Sequence, residues 1–178
     1  ADASDGLLTA ARELSDEGAT VRLKGIGAAL YSANDGPNRT AIFESVAGHR
    51  SDMVRAWAAF MLAANTDMAL ANRLEATRRS AADRGVAVRE CARDSFRPSL
   101  AAELDTGLAL LESWVRDPDP SIRRCAVEST RPRGVWTAHF KALKEEPERG
   151  LRLLEPVRSD PSRYVQRAVA NWLNDASK

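Results

Sequence analysis

A short pattern that returns about every 34 residues is the feature that most constrains the fold of this chain. In each copy an apolar residue, usually followed by arginine, precedes small apolar residues at helical spacing, and these anchors are Val21, Val54, Val88, Ile122 and Val165. The intervals between successive anchors are 33, 34, 34 and 43 residues. Self-similarity at this period is typical of helical-repeat arrays, in which each helix pair buries its apolar side against the next.

Turn-forming segments precede four of these anchors, with the sequences SDEGAT, GHRSD, DPDPS and SDPS. Asp and Ser suit the N-cap and Pro suits the first turn, so a helix is predicted at each anchor. Segments 100–115 and 150–157 predict partner helices, and the long last interval predicts an extra turn and helix around 136–143. We therefore predict an all-α chain, with residues 1–178 forming a single α-solenoid domain of about five HEAT-like helix pairs, curved around a concave binding face.

Composition narrows the class of protein further. Hydrophobic residues make up 44% of the chain and charged residues 29%, which excludes an intrinsically disordered chain. No apolar run reaches the ~18 residues needed to span a bilayer, and no charged-then-apolar leader opens the sequence, so we expect a soluble cytoplasmic protein with no membrane partner.

Cys91 and Cys125 form no CxxC pair and are predicted to be small buried residues. Trp57, Trp114 and Trp172 are likewise predicted to lie in the core. Since the two histidines are isolated as well, neither a metal site nor a cofactor is predicted.

One helix face changes character along the array. The positions two, six and nine residues after each anchor share a stripe that we expect to lie opposite the core and to be free for binding. In the first two repeats they are Leu23, Gly27, Leu30, Ala56, Phe60 and Ala63. In the last three they are Glu90, Asp94, Arg97, Arg124, Glu128, Arg131, Arg167, Asn171 and Asn174. The net charge is only +1, but residues 123–133 hold four arginines and a single acid, Glu128, so any phosphate binding must be local.

The row has an ordinary explanation as well. Glu128 stands four residues after Arg124 and three before Arg131, where it can form surface ion pairs worth ~0.2–0.5 kcal/mol each. The alignment of Asp94, Glu128 and Asn171 across neighbouring helices favours a site, since clustered carboxylates commonly mark chemistry or cation binding.

Two segments of the last third resemble a known family. RRCAVESTRPRGVW (residues 123–136) resembles the RR-x-x-SEG-x-RP-x-x-PW signature of the AlkC branch of the AlkC/AlkD-type DNA alkylation repair proteins. SDPSRYVQRAVANWLNDASK (residues 159–178) resembles that branch's DPS-x-YVR-x-SVAN-x-LND-x-(A/S)K block, and DSFRP (residues 94–98) is more weakly similar to EFAIRP. The resemblance covers the last third of the chain, whereas residues 1–85 match only in helical character.

The resemblance implies a function. The family consists of HEAT-like-repeat glycosylases that remove cationic N-alkylated bases such as 3-methyladenine, which implies a monomeric, nucleoid-associated, monofunctional glycosylase acting on double-stranded DNA without a cofactor. Matched positions imply catalytic roles for Glu128, Trp136 and Asp175, with Asp94 standing where an upstream glutamate is expected. Arg124 and Arg131 match arginines that face DNA in the family. Together with the stripe they complete the predicted DNA-binding set, which is Arg97, Arg124, Arg131, Arg167, Asn171 and Asn174.

The sequence departs from the family pattern in three places. Val135 stands where the signature has proline, so the entry to the following helix is expected to differ. Asp94 is one methylene shorter than the glutamate it replaces. Relatives continue beyond the position matched by Lys178, so we expect the natural protein to extend further.

The chemistry of an alkylated base accounts for these residue types. A cationic N-alkylated purine is a good leaving group, so carboxylates are needed mainly to stabilise the sugar cation and to orient water. Trp136 would contact the cationic lesion or its sugar through the face of its ring, and the arginines would hold phosphates. Whether the base is flipped into a pocket stays open at this point.

Two other functions also stay open. The chain could be a catalytically silent relative that binds DNA through its arginines, or a protein-interaction solenoid, because a fold does not imply a function. Trp136 could equally be a core aromatic, Asp175 a local pair near the chain end, and Asn171 and Asn174 partners of backbone groups between repeats.

Overall fold

The computed structural model describes residues 3–134 and 137–177, and in those residues it contains eleven α-helices and no β-strand. The prediction of an all-α chain is therefore confirmed. The helices are α1 (Ala3–Glu13), α2 (Ala19–Ser32), α3 (Gly36–Ala47), α4 (Asp52–Ala64), α5 (Leu70–Ala81), α6 (Val86–Ala102), α7 (Leu104–Trp114), α8 (Pro120–Ser129), α9 (Lys141–Glu145), α10 (Leu151–Leu154) and α11 (Arg163–Ala176). Two 3-10 turns, Pro147–Gly150 and Glu155–Val157, flank α10.

The repeat anchors locate the second helix of each pair. Helices α2, α4, α6, α8 and α11 each begin two residues before the corresponding anchor. Asp119 and Ser162 are N-caps, and their side chains accept hydrogen bonds from the backbone N–H groups of Ser121 (2.7 Å) and Tyr164 (3.3 Å). Each cap satisfies a backbone donor that the first turn leaves without a partner, as the turn sequences predict.

Partner helices differ from their predicted limits. A single helix over 100–115 is wrong, because α6 continues through the buried Leu100 to Ala102 and α7 begins at Leu104. Of the extra helix expected around 136–143, the described part is the short α9. The segment 150–157 is a 4-residue helix between two 3-10 turns.

The helices form two layers. The second helices pack side by side in chain order, and α1, α3, α5 and α7 each pack against the second helix that follows. The larger apolar core extends from α5 to α11 and includes Trp114 and Trp172, both buried as predicted, whereas Trp57 is partly buried in a smaller core around α2–α4. Of the two cysteines, Cys125 is buried and Cys91 partly exposed, and burial raises the pKa of their thiols to about 12 and about 11.

None of the helices in segments 3–134 and 137–177 has the length and apolarity that a membrane crossing requires.

On α2, α4, α6 and α8 the stripe that we expected to be free is buried or partly buried, because neighbouring second helices pack through it, whereas its members on α11 are exposed as expected. A Cβ atom on Gly27 would lie 2.5 Å from the Cβ of Phe60, so α2 and α4 cross where an alanine would displace its neighbour. Gly27, Phe60 and Glu128, three members of the stripe, are all buried. The change in stripe composition along the chain is therefore a change in an interface: apolar between α2 and α4, and charged between α6, α8 and α11.

The arginine that follows most anchors ties adjacent repeats together. Arg55 donates through Nε (2.7 Å) and Nη2 (2.9 Å) to the carboxylate of Asp83 in the turn before α6. Arg123 repeats this geometry with Asp160 in the turn before α11, at 2.7 and 2.9 Å, while its Nη1 donates to the carbonyl oxygen of Asp117 (2.8 Å). Bidentate guanidinium–carboxylate pairs are among the strongest side-chain hydrogen bonds, so this repeated pair orients α4 and α8 on the turns before α6 and α11.

Asp160→Asn is expected to lower the free energy of unfolding by about 1.5–3 kcal/mol at neutral pH, the usual worth of hydrogen bonds to a charged group. The hydrogen bonds from Arg123 hold the pKa of the Asp160 carboxyl below its usual value. This stabilisation is therefore present above the unfolded pKa of about 4 and is lost as the pH falls through the lower folded pKa. Urea unfolding at pH 7 and pH 3 should show the difference from wild type shrinking in acid, whereas exposed Asp67→Asn should show little difference at either pH. A difference that is equal at both values would contradict the assignment.

Candidate active site

Three second helices bring the predicted acids to one place. Asp94 lies on α6, Glu128 on α8 and Asp175 on α11, and all three are buried. Arg93 joins the first two, with Nε 3.0 Å from Oδ1 of Asp94 and Nη1 3.2 Å from Oε2 of Glu128. Arg131 joins the last two, with Nη1 3.1 Å from Oε2 of Glu128 and Nε 2.7 Å from Oδ2 of Asp175. The acids share their arginines and form one continuous cluster.

Glu128 is the centre of this cluster, with only 2% of its surface exposed. Its Oε2 accepts hydrogen bonds from Arg93 and Arg131, while its Oε1 lies 3.1 Å from Nη1 of Arg124 and 3.4 Å from Nδ2 of Asn171. Glu128 is therefore not an exposed residue in surface ion pairs, which was the ordinary explanation of its position. Breaking a buried ion pair destabilises a protein far more than breaking an exposed one, so this carboxylate with its three guanidinium partners matters more to stability than a surface pair does.

The charges in the cluster stabilise one another against burial. Burial opposes the charge on Arg93, but Asp94 and Glu90 outweigh it and raise the pKa of the guanidinium above its usual value. Burial likewise opposes the charge on Arg131, and its hydrogen bonds to Asp175 and Glu128 raise its pKa. Both arginines therefore stay charged inside the cluster.

Arg97 does not fit the DNA-binding role predicted for it. It is 3% exposed, and its donors are directed to backbone carbonyl oxygens of Ser129 (2.8 Å), Arg131 (3.1 Å) and Ala138 (3.1 Å). The guanidinium lies 4.4 Å from the centre of the Phe140 ring, and burial lowers its pKa to about 10 against the attraction of Asp94. Arg97 therefore secures the segment after α8 and is not available to a phosphate.

The remaining predicted DNA contacts reach the surface to different degrees. Arg167, Asn171 and Asn174 are exposed on α11. The side chains of Arg124 and Arg131 are 16% and 18% exposed, although both are paired with carboxylates. These five side chains are accessible to a ligand approaching the second-helix layer.

A small open cleft of about 200 Å³, including its solvent-filled mouth, lies over the cluster. Its lining comprises Arg93, Asp94, Arg97, Glu128, Arg131, Arg133, Gly134 and Thr137. A Cβ on Gly134 would lie 2.2 Å from the carbonyl oxygen of Thr137, so the close approach of these two residues requires glycine. The predicted Trp136 lies outside the described residues, but the residues on either side of that gap, Gly134 and Thr137, border the cleft.

Two functional candidates were missing from the sequence-based set. Arg93 contacts three carboxylates. The sequence did contain a signal for it, because this arginine stands at a repeat position that is apolar in the other repeats, where the residues are Ile26, Ala59, Val127 and Ala170. Tyr164 at the start of α11 is the second: the guanidinium carbons of Arg89 and Arg124 lie 5.4 and 4.2 Å from its ring centre. No sequence spacing links residues 89 and 164, so only the folded chain shows this contact.

Comparison with known proteins gives a partial match in sequence, and matches in fold over nearly the whole of this chain. No family model matches the chain. An uncharacterised protein of Bacillus subtilis, YhaZ, is 40% identical over 84 residues, a match that covers 47% of this chain and 24% of that protein. The chain thus spans about a quarter of the length of this curated relative.

Solved structures match nearly the whole chain. One is Pseudomonas fluorescens alkylpurine DNA glycosylase AlkC bound to DNA containing an abasic site analog, with a TM-score of 0.81, 21% identity, and coverage of 97% of this chain and 48% of that one. Another is AlkD2 from Streptococcus mutans, with a TM-score of 0.69, 21% identity, and coverage of 96% and 83%. The described helices therefore have the helical-repeat fold of the AlkC and AlkD structures.

Proposed function

We propose that this chain is a DNA alkylation repair glycosylase that hydrolyses the N-glycosidic bond of cationic N-alkylated bases in duplex DNA. One observation carries the proposal: carboxylates from three successive second helices share the arginines between them in one cluster, and two of these carboxylates, Asp94 and Glu128, line the cleft above it. The similarity in fold to AlkC bound to DNA supports the same function. We further propose that the protein acts as a monomer in the cytoplasm.

The proposed reaction needs negative charge more than it needs an acid. An N3-alkylated purine leaves with the electron pair of the glycosidic bond and thereby becomes neutral, while positive charge develops on the sugar. Glu128 and Asp175 would stabilise that cation, and one of them would orient the water whose oxygen bonds to C1′ and would accept the proton that this water loses. Asp94 would add to the negative field from the α6 side. None of the described side chains lining the cleft carries a primary amine, so we propose a monofunctional enzyme with water as nucleophile.

The proposed DNA contacts are the accessible cations and amides around the cleft. Arg124, Arg131 and Arg167, with the exposed Arg133 that lines the cleft, would hold backbone phosphates and position the duplex without reading its sequence. Asn171 and Asn174 would add hydrogen bonds from α11. The ring of Trp136 would border the lesion and attract its positive charge.

A second candidate is a catalytically silent DNA-binding protein. It is favoured by the complete pairing of Glu128, whose charge is offset by three guanidinium groups.

The deciding experiment is base release from a methylated duplex by the full chain, resolved by base type. We expect release of 3-methyladenine-type bases, leaving abasic sites with no strand cleavage. Salt-dependent duplex binding without base release would support the silent protein instead. Absence of both would leave the protein-interaction solenoid as the better assignment.

A further inference from the structure

The two accessible arginines of the cluster are each held by two carboxylates. Arg131 lies between Glu128 and Asp175, at 3.1 and 2.7 Å. Arg124 lies between Glu128 (3.1 Å) and Glu90 (3.7 Å), with Nη2 facing Glu90. In both cases the guanidinium is closer to solvent than the buried Glu128, so an incoming anion meets the cations first.

The balance of charge creates a difficulty for catalysis. Among the described residues, the guanidinium groups of Arg93, Arg124 and Arg131 pair with the carboxylates of Glu90, Asp94, Glu128 and Asp175, and the charge of Arg97 is attracted by Asp94. The positive and negative charges are equal in number. Because a developing sugar cation is stabilised by net negative potential, a neutral cluster offers it little.

We propose that Arg124 and Arg131 exchange carboxylates for backbone phosphates when a duplex binds, which unmasks Glu128 and Asp175 only in the complex. This rests on the proposed function. Guanidinium groups form strong bidentate bonds with phosphate oxygens, so a phosphate competes well with a single carboxylate. Once both cations turn to phosphates, the cluster has two uncompensated negative charges beside the sugar.

Arg93 does not take part in the exchange. It is buried, and it contacts Glu90 (2.6 Å), Asp94 and Glu128 at once, so it keeps the carboxylates in place while the outer arginines leave. Tyr164 keeps Arg124 beside the cluster, because its carbonyl oxygen accepts a hydrogen bond from Nη1 (3.1 Å) and its ring lies under the guanidinium. The exchange at Arg124 therefore begins at Nη2, which faces Glu90, and unmasks Glu128 when Nη1 leaves that carboxylate as well.

The exchange makes Glu90 an intramolecular competitor of DNA. Its side chain is 36% exposed, the most accessible of the four acids, and it is outside the proposed catalytic set. Glu90→Gln removes the competing charge and should therefore tighten binding to undamaged duplex. The matched control is Glu112→Gln, which makes the same charge change on α7, where Glu112 pairs with Arg152.

The test is fluorescence anisotropy of an undamaged duplex oligonucleotide titrated with the full chain at fixed salt. We expect Glu90→Gln to bind roughly two- to fivefold more tightly than Glu112→Gln, the ratio that corresponds to losing one partly exposed pair. Equal affinities, weaker binding by Glu90→Gln, or no binding by either variant would overturn the exchange. Circular dichroism melting identifies a variant that fails to fold.

A second measurement needs no variant. In ¹⁵N-labelled wild-type protein the Nε–H resonance of Arg131, which donates to Asp175, should shift when undamaged duplex is added. An unshifted resonance at saturating duplex overturns the exchange. Neither measurement uses base release, so tighter binding without base release would reject only the glycosylase, and base release with equal affinities would reject only the exchange.

Discussion

Replacing Asp175 with asparagine is expected to lower base release from methylated duplex by about 100- to 1,000-fold, the usual cost of removing one electrostatic contact to a transition state. Asparagine has the same shape as aspartate, and its amide oxygen can still accept the 2.7 Å hydrogen bond from Nε of Arg131. The substitution therefore removes the charge while keeping the packing of α11 on α8. Single-turnover base release, with circular dichroism to confirm helical content, measures the effect.

The matched control is Asp105→Asn, which makes the same change on α7, away from the cluster, where Asp105 forms an exposed pair with Arg149. We expect its base release to equal that of wild type. Duplex affinity of Asp175→Asn should not fall, since the substitution removes a negative charge beside Arg131. A variant that keeps full activity, or one that loses activity only through weaker DNA binding, would remove Asp175 from the proposed catalytic set.

Glu128→Gln is expected to lower the free energy of unfolding by about 3–5 kcal/mol, the usual cost of breaking a buried ion pair by neutralising one partner. The carboxylate accepts from Arg93, Arg124 and Arg131, and the neutral amide leaves those three positive charges with one negative charge fewer at the buried interface of α6, α8 and α11. Urea unfolding at neutral pH measures the loss. Base release should fall as well, under conditions where the variant is folded.

Glu44→Gln provides the comparison, because Glu44 pairs with Arg79 on the surface and both side chains are more than half exposed. Its expected cost is below about 1 kcal/mol. If the two variants lose similar stability, the Glu128 cluster contributes no more than an ordinary surface pair. That outcome would argue that the carboxylate is not held in a water-poor cleft.

Much of the fold could be predicted from the sequence because helix signals are local. The anchor spacing located all five second helices, and the capping residues Asp119 and Ser162 form the predicted hydrogen bonds. The site was partly predictable for the same reason. Asp94 and Glu128 occupy the same repeat position 34 residues apart, so packing successive helices side by side brings them together. The roles of Glu128, Asp175 and Trp136 came from the resemblance and remain proposals.

The direction in which each helix face points was decided by tertiary packing. Helical periodicity defines which residues share a stripe, but not whether that stripe meets solvent or a neighbouring helix. Here it meets the next second helix, so Gly27 and Phe60 are buried where a free face was expected, and Arg97 serves carbonyl oxygens in place of phosphates. Arg93 became a bridge only because α8 places Glu128 within 3.2 Å of it. A buried charge must find its partners on other helices, and that choice is a property of three-dimensional contacts that no single stretch of sequence contains.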